Sequence, residues 1–368
     1  MTGVLKAIGL MSGTSLDGID AAILDTDGEA IAAFGVARFE PYAPPLRARL
    51  REALDRAATM TLDGPLPAGI EALERELTQA HAAAVTALLA DADLQAADID
   101  VIGFHGQTLT HRPQQRMTLQ IGSGPRLAET TRIDVVNDFR AADMRAGGQG
   151  APLVPIYHAA LAARRAPVAV LNIGGVANVT FVGAGGELVA FDTGPGNAPI
   201  DDWALKHTGQ PIDRDGALAA KGRVIENIIT HLLGHAYFAK PAPKSLDRMD
   251  FALDMARNLS PEDGAATLTA FTARAIAAAR AHLPQAPKAW IVCGGGRLNS
   301  TLMRELRAAL TDVTVITAED AGWRGDFVEA EAMAYLAVRA IRGLPISFPQ
   351  TTGVPQPLTG GTFHAARR

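Results

Sequence analysis

The sequence predicts an α/β fold of two related lobes, and three observations carry that reading. Each half opens with an apolar run, a tight glycine-containing turn and a second apolar run: residues 4–10 lead into 20–24, and residues 168–172 turn at Gly174 and Gly175 into 177–182. Each half then alternates helical stretches with short strand-like runs. Neither a short-period repeat nor a low-complexity linker divides the chain, so the halves read as lobes with a cleft between them. The expected division is 1–134 with 349–368 as the first lobe and 135–348 as the second.

The elements follow in order. Residues 4–10 and 20–24 form a hairpin, and 30–39 supply a third antiparallel strand. Residues 46–57 and 70–90, rich in Ala, Leu, Arg and Glu, have helical spacing. A buried strand at 99–104 ends on His105-Gly106-Gln107. Residues 117–121 precede a helix starting near Pro125, and AADMRAGGQGAPLVP reads as a loop before a helix from about Leu153. In the second half, 188–191 is a strand ending on DTGPGN, 265–281 an Ala-rich helix, and 289–293 a strand running into Gly294-Gly295-Gly296. A strand at 313–317 and a helix at 327–342 precede a Pro- and Gly-rich tail at 344–360.

Bulk properties exclude several classes. With 368 residues, 48% hydrophobic and 20% charged, the chain has an ordinary globular composition and room for two cores. A net charge of -5 without a basic block argues against nucleic acid or an anionic membrane as partner. The single Cys293 excludes an intrachain disulfide framework and suits a reducing cytoplasm; it reads as a core thiol. No apolar run approaches the roughly 20 residues a membrane helix needs.

Seven of the ten residues in MSGTSLDGID are Gly, Ser, Thr or Asp, an odd composition for the exit of a buried strand. Without a Cβ to block approach, backbone N–H groups at Gly13, Thr14, Ser15 and Gly18 can converge on a phosphate. LNIGGVANVT repeats the strand–turn–strand pattern. VCGGGRLNS is a strand, three glycines and a helix capped near Asn299, a turn that can lie against a phosphate or a flat ring. Neither GxxxxGK[ST] nor a clean GxGxxG is present.

The order of these three turns resembles the actin-like ATPase superfamily, of ribonuclease-H-like fold, in which two hairpin turns hold the phosphates and the third covers the adenosine. Two positions depart from its pattern: Met11 and Asn172 stand where acids are common. Within the superfamily, GLMSGTSLDGIDAA, GFHGQTLTHRP, NDFRAADMRAGGQGAPLVP, LNIGGVANVT, FDTGPGNAPID and DFVEAEAMAYLA resemble the anhydro-N-acetylmuramic acid kinase family, in family order from Gly9 to Ala337.

The resemblance implies an ATP- and Mg2+-dependent kinase of peptidoglycan recycling, cytoplasmic and homodimeric. Water opens the 1,6-anhydro bridge and the released oxygen takes the γ-phosphate. Asp143 is the expected general base. Ser12, Gly13, Thr14, Ser15, Asp17, Gly18, Asn172, Gly174, Gly175 and Asn178 are expected on the phosphates, and Gly294, Gly295, Gly296 and Asn299 on adenosine. Asp17, Asp20 and Asp192 are the expected magnesium residues, acting through water. His105, Gln107, Thr108, Arg140 and Glu329 are expected near the sugar. Arg140 suits the lactyl carboxylate or a brace for Asp143, and Glu329 reads equally as an acid of a helix first turn. His105 and His111 lie six apart, so a helix does not bring them to one face as a metal pair. Two other readings stand beside this one: a plain sugar kinase, which incorporates no water, and a nucleotide-gated binding protein, which turns over ATP without sugar.

Overall fold

The computed structural model describes residues 3–13, 15–57, 60, 69–246, 251 and 257–366. The fold is α/β, and the chain divides into two compact units: Met1–Leu161 with Phe327–Arg368, and Ala162–Asp326. The sequence reading set the division at 134/135 and 348/349. The difference arises because β6 (Val135–Asn137) pairs with a strand of the first unit, and α11 (Val328–Ile341) packs on that unit's sheet.

In the first unit, β1 (Leu5–Ser12) is a central strand whose Ile8 and Leu10 are fully buried. It pairs antiparallel with β2 (Gly18–Thr26), with Met11 opposite Asp20, and β2 pairs antiparallel with β3 (Ile31–Pro41). On its other side β1 runs parallel to β4 (Val101–Arg112), and that register shifts between Leu10 and Ser12. Such irregularities re-aim side chains. With β12 (Thr362–His364), the order is β12-β6-β4-β1-β2-β3, and β5 (Met117–Ile121) pairs with β4. Helix α2 (Ile70–Asp91) buries Leu73, Leu77, His81 and Val85, spaced four apart along one face. With α1 (Pro44–Ala57) it covers a core that includes Ile8, Leu10, Ile23 and Phe104. Helix α11 approaches the sheet very closely: a Cβ on Gly9 would lie 1.7 Å from the Ala330 carbonyl oxygen, and one on Gly103 2.0 Å from that of Met333. Only glycine permits that contact.

The second unit repeats the central strand order. β7 (Val168–Ile173), β8 (Val176–Val182) and β9 (Leu188–Pro195) form an antiparallel set, and β10 (Ala289–Cys293) and β11 (Thr314–Thr317) continue it in parallel, giving β11-β10-β7-β8-β9. Trp290, Phe181 and Phe191 centre the core. Helix α9 (Pro261–Ala278) starts on Ser260, whose hydroxyl accepts from the Asp263 N–H, and it is buried along most of its length.

Three local expectations change. β4 does not end at Phe104 but continues to Arg112, because its second half finds an antiparallel partner in β5. The small-residue loop contains a short helix, α4 (Ala141–Arg145), and the next helix, α5 (Pro155–Ala162), starts at Pro155 rather than Leu153. β6 and β12, three residues each, are too short to show a period.

Candidate active site

The β1–β2 turn of the first unit is held from beneath by side chains. Gln107, fully buried on β4, donates from Nε2 to the Gly13 carbonyl at 3.2 Å, and its buried Oε1 has no partner among the described residues. Leu16 has a positive φ of 58° and donates its N–H to Gly13. Ser12 is only 2% exposed; its hydroxyl is bonded inward to Tyr42 and His81, so it is not presented to a phosphate. Ser15 is exposed, and Thr14 lies outside the described residues.

A polar cluster follows in the same unit. His105 Nδ1 donates to the Gly106 carbonyl, and Nε2 accepts from Arg140 Nη2 at 2.8 Å. Burial, and then the Arg140 charge, push His105 down to about 3, so the ring is neutral. Arg140 Nη1 donates to the Gly150 carbonyl, and its buried Nε has no partner among the described residues. Burial lowers its pKa, opposed by the charges of Glu329 and Asp143, while burial raises that of Glu329. Asp143 is 1% exposed: Oδ1 accepts from the Gly150 N–H at 2.6 Å and Oδ2 from the Thr352 hydroxyl at 2.5 Å. Asp143 and Arg140 therefore clamp the same residue, one on its N–H and the other on its carbonyl. Thr108 accepts from Gln120, and His111 meets Thr118.

In the second unit, the Gly174 and Gly175 carbonyls accept from the N–H groups of Asn197, and of Gly196 and Ala198, so the DTGPGN segment cups the turn with main chain. Asn172 stands opposite Asn178 across the β7–β8 pair. Glycines of the three turns fall into two kinds. A Cβ at Gly13, Gly174, Gly175 or Gly295 would meet nothing nearer than 3.5, 3.5, 3.6 and 3.7 Å, and none has a positive φ. Nothing among the described residues requires glycine at these positions, and a backbone without Cβ allows close approach to each. By contrast, a Cβ would lie 2.3 Å from the Glu40 carbonyl at Gly18, 2.3 Å from Asn172 Oδ1 at Gly294 and 2.4 Å from Ile173 Cγ2 at Gly296. Those three serve packing. Asn299, expected on adenosine, caps α10 (Ser300–Ala309) by accepting from the Leu302 N–H. Arg297, which sequence reasoning missed, fixes the glycine turn by donating to the Gly294 carbonyl while paired with Glu319 and Asp326.

Asp192, on β9, is half-buried. One carboxylate oxygen accepts from the Leu246 N–H at 2.8 Å; the other has no partner among the described residues. Burial pushes its pKa up to about 7, with the Leu246 bond opposing. Its main chain is latched as well: its N–H donates to the Lys244 carbonyl, and its carbonyl accepts from Tyr237 Oη at 2.6 Å. Lys244 donates to the Tyr237 and Phe238 carbonyls.

Of the expected magnesium residues, Asp17 is exposed and paired with Arg47 at 2.8 Å, Asp20 stands opposite Met11 in the β1–β2 register, and Asp192 accepts from the Leu246 N–H. Among the described residues no three His, Cys, Asp or Glu side chains gather to hold a metal, His105 and His111 included. Nor is any described helix long and apolar enough to cross a membrane.

The sequence model of a family described as "Anhydro-N-acetylmuramic acid kinase" matches residues 5–366. Among curated proteins, the chain is 55% identical over 367 residues to "Anhydro-N-acetylmuramic acid kinase" of Rhizorhabdus wittichii, covering 99% of this chain and 100% of that one. It is 52% identical over 361 residues to the protein of the same name from Rhodopseudomonas palustris, covering 97% and 98%. Among solved structures, component A of (R)-2-hydroxyglutaryl-CoA dehydratase from Acidaminococcus fermentans aligns with a TM-score of 0.48 at 16% identity, over 91% of this chain and 98% of that one.

Proposed function

This chain belongs to the anhydro-N-acetylmuramic acid kinase family and is a phosphotransferase, and from that premise we propose how its residues divide the work. The substrates are ATP, entering as its magnesium complex, and 1,6-anhydro-N-acetylmuramic acid. A sugar bridged from carbon one to carbon six offers no hydroxyl at carbon six. Water must therefore attack the anomeric carbon, and the oxygen released at carbon six takes the γ-phosphate. Phosphoryl transfer to that oxygen removes the need for a separate acid, but the water still needs a base.

Asp143, the expected base, has both oxygens occupied by the protein, so its role is to brace the loop. The observation that carries the reading is Asp192: a carboxylate with one oxygen unpaired among the described residues and a pKa near 7. A base is most effective when its pKa lies near the working pH. Asp192 takes the proton of the attacking water. Gly13 with Ser15, and Gly174 with Gly175, give the phosphates close backbone contact; Gly295 gives it to the adenosine. Arg140, with an Nε unpaired among the described residues and its attachment to His105, takes the lactyl carboxylate, and Glu329 offsets its charge when no sugar is bound. The kinase acts in peptidoglycan recycling, as a cytoplasmic homodimer; sedimentation equilibrium reads the oligomeric part.

The test is product mass spectrometry after reaction with both substrates in heavy-oxygen water. One heavy oxygen at the anomeric carbon and a phosphate on carbon six is the expected product. ATP consumption without that labelled sugar phosphate would overturn the reading.

A further inference from the structure

Beneath the first phosphate turn lies a buried relay that none of the roles above uses. Tyr42 Oη donates to Ser12 Oγ at 2.7 Å, Ser12 Oγ lies 2.9 Å from His81 Nε2, and His81 Nδ1 lies 2.8 Å from the Leu77 carbonyl. A carbonyl oxygen only accepts, so Nδ1 carries the ring's proton and Nε2 is left bare. Ser12 must therefore donate its one proton to His81. Burial holds His81 down at about 4, which keeps the ring neutral. The ring also packs on Phe104, 4.9 Å between centroids, so it cannot turn freely. Tyr42, Ser12 and His81 are 7, 2 and 0% exposed.

The place of this relay matters. Ser12 is the last residue of β1, at the irregularity where the pairing with β4 shifts, and Gly13 follows it directly. Gln107, opposite Ser12 in register, holds the Gly13 carbonyl. The strand end is thus fixed on two sides: by Gln107 through the main chain, and by His81 and Tyr42 through the Ser12 hydroxyl. A buried hydroxyl deprived of its acceptor carries a desolvation cost, and an irregular strand end is where the chain can relieve it by moving.

We propose that His81, acting through Ser12, is a positioning residue for ATP: it locks the end of β1 so that the turn beginning at Gly13 is set for the nucleotide's phosphates before ATP arrives. Tyr42 completes the lock from the other side. The inference rests on the reading of this turn as a phosphate site. It assigns Ser12 to the support of that site rather than to contact with ATP.

The test separates positioning from simple packing by measuring KM for ATP and KM for the sugar in His81→Leu, His81→Gln, Ser12→Ala and the double variant His81→Leu/Ser12→Ala. His81→Leu should raise KM for ATP about tenfold, equivalent to about 1.4 kcal/mol, and leave KM for the sugar unchanged. His81→Gln should restore most of the loss, because its amide oxygen offers Ser12 an acceptor. The double variant should be no worse than His81→Leu alone, since both act through one bond. If His81→Leu changes neither KM and only lowers thermal stability, the residue is ordinary core and the proposal fails. Should that variant not fold, Ser12→Ala and Tyr42→Phe carry the same test, and an unaltered KM for ATP in both overturns it. A wild-type enzyme that does not saturate with ATP would instead overturn the proposed function itself.

Discussion

Asp143, buried in the first unit, and Asp192, half-buried in the second, are two carboxylates in different surroundings. Asp143, in the first unit, lies among small residues and spends both oxygens on the chain, one on Gly150 and one on Thr352. Asp192, in the second unit, spends one oxygen on Leu246 and keeps the other unpaired among the described residues. On the reading proposed above, satisfying both oxygens of Asp143 suits it to bracing, while desolvation with one oxygen left over raises the Asp192 pKa and suits it to act as a base. A sequence shows that an aspartate sits in a roomy loop; it does not show how many of its lone pairs the fold has already used.

The largest effect should come from Asp192→Asn. Turnover should fall about 10²- to 10⁴-fold, the usual worth of a general base, with the melting temperature unchanged or raised, because the neutral amide escapes the desolvation cost of the carboxylate; coupled ADP release and calorimetry check both. Asp143→Asn sharpens the contrast. It should cost about 1–3 kcal/mol of stability, because an amide nitrogen cannot accept from Gly150 or Thr352. The folded fraction should keep turnover well above that of Asp192→Asn. Equal losses of turnover in the two variants at equal stability would break the comparison.

The glycines allow a finer version of the same contrast between chain and ligand. Gly296→Ala should destabilise by about 1–3 kcal/mol, since its Cβ would press on Ile173. Gly175→Ala should leave stability unchanged or raise it by about 0.4–1 kcal/mol, while KM for ATP rises severalfold. Denaturant titration and initial rates separate the two outcomes.

Much of the frame was legible in the sequence. Strands β1, β2, β7 and β8 announce themselves as apolar runs around glycine turns, and Asn299 sits where a helix cap belongs. The parts that were not legible depend on partners distant along the chain. β4 continues past Phe104 only because β5 pairs with it, and β6 becomes a strand only between β4 and β12. In the site, the turns were visible from composition, but not which glycines the protein fills and which it leaves bare. Asn172 and Ile173 close two of them from 120 or so residues away along the chain, a distance no local pattern spans. His81 had a usable signal: its four-residue spacing from Leu77 and Leu73 puts it on the buried face of α2. The sequence offers no comparable cue that Ser12, 69 residues earlier, is its partner.

The most direct measurement is the pH dependence of kcat/KM for the anhydro sugar. The water's base must be ionised, so activity should rise with pH and level off above an apparent pKa near 7, set by the burial of Asp192. Asp192→Asn should abolish that limb. A wild-type profile that stays flat down to the ordinary carboxylate range, near pH 4, or an acid limb that survives in Asp192→Asn, would contradict the assignment.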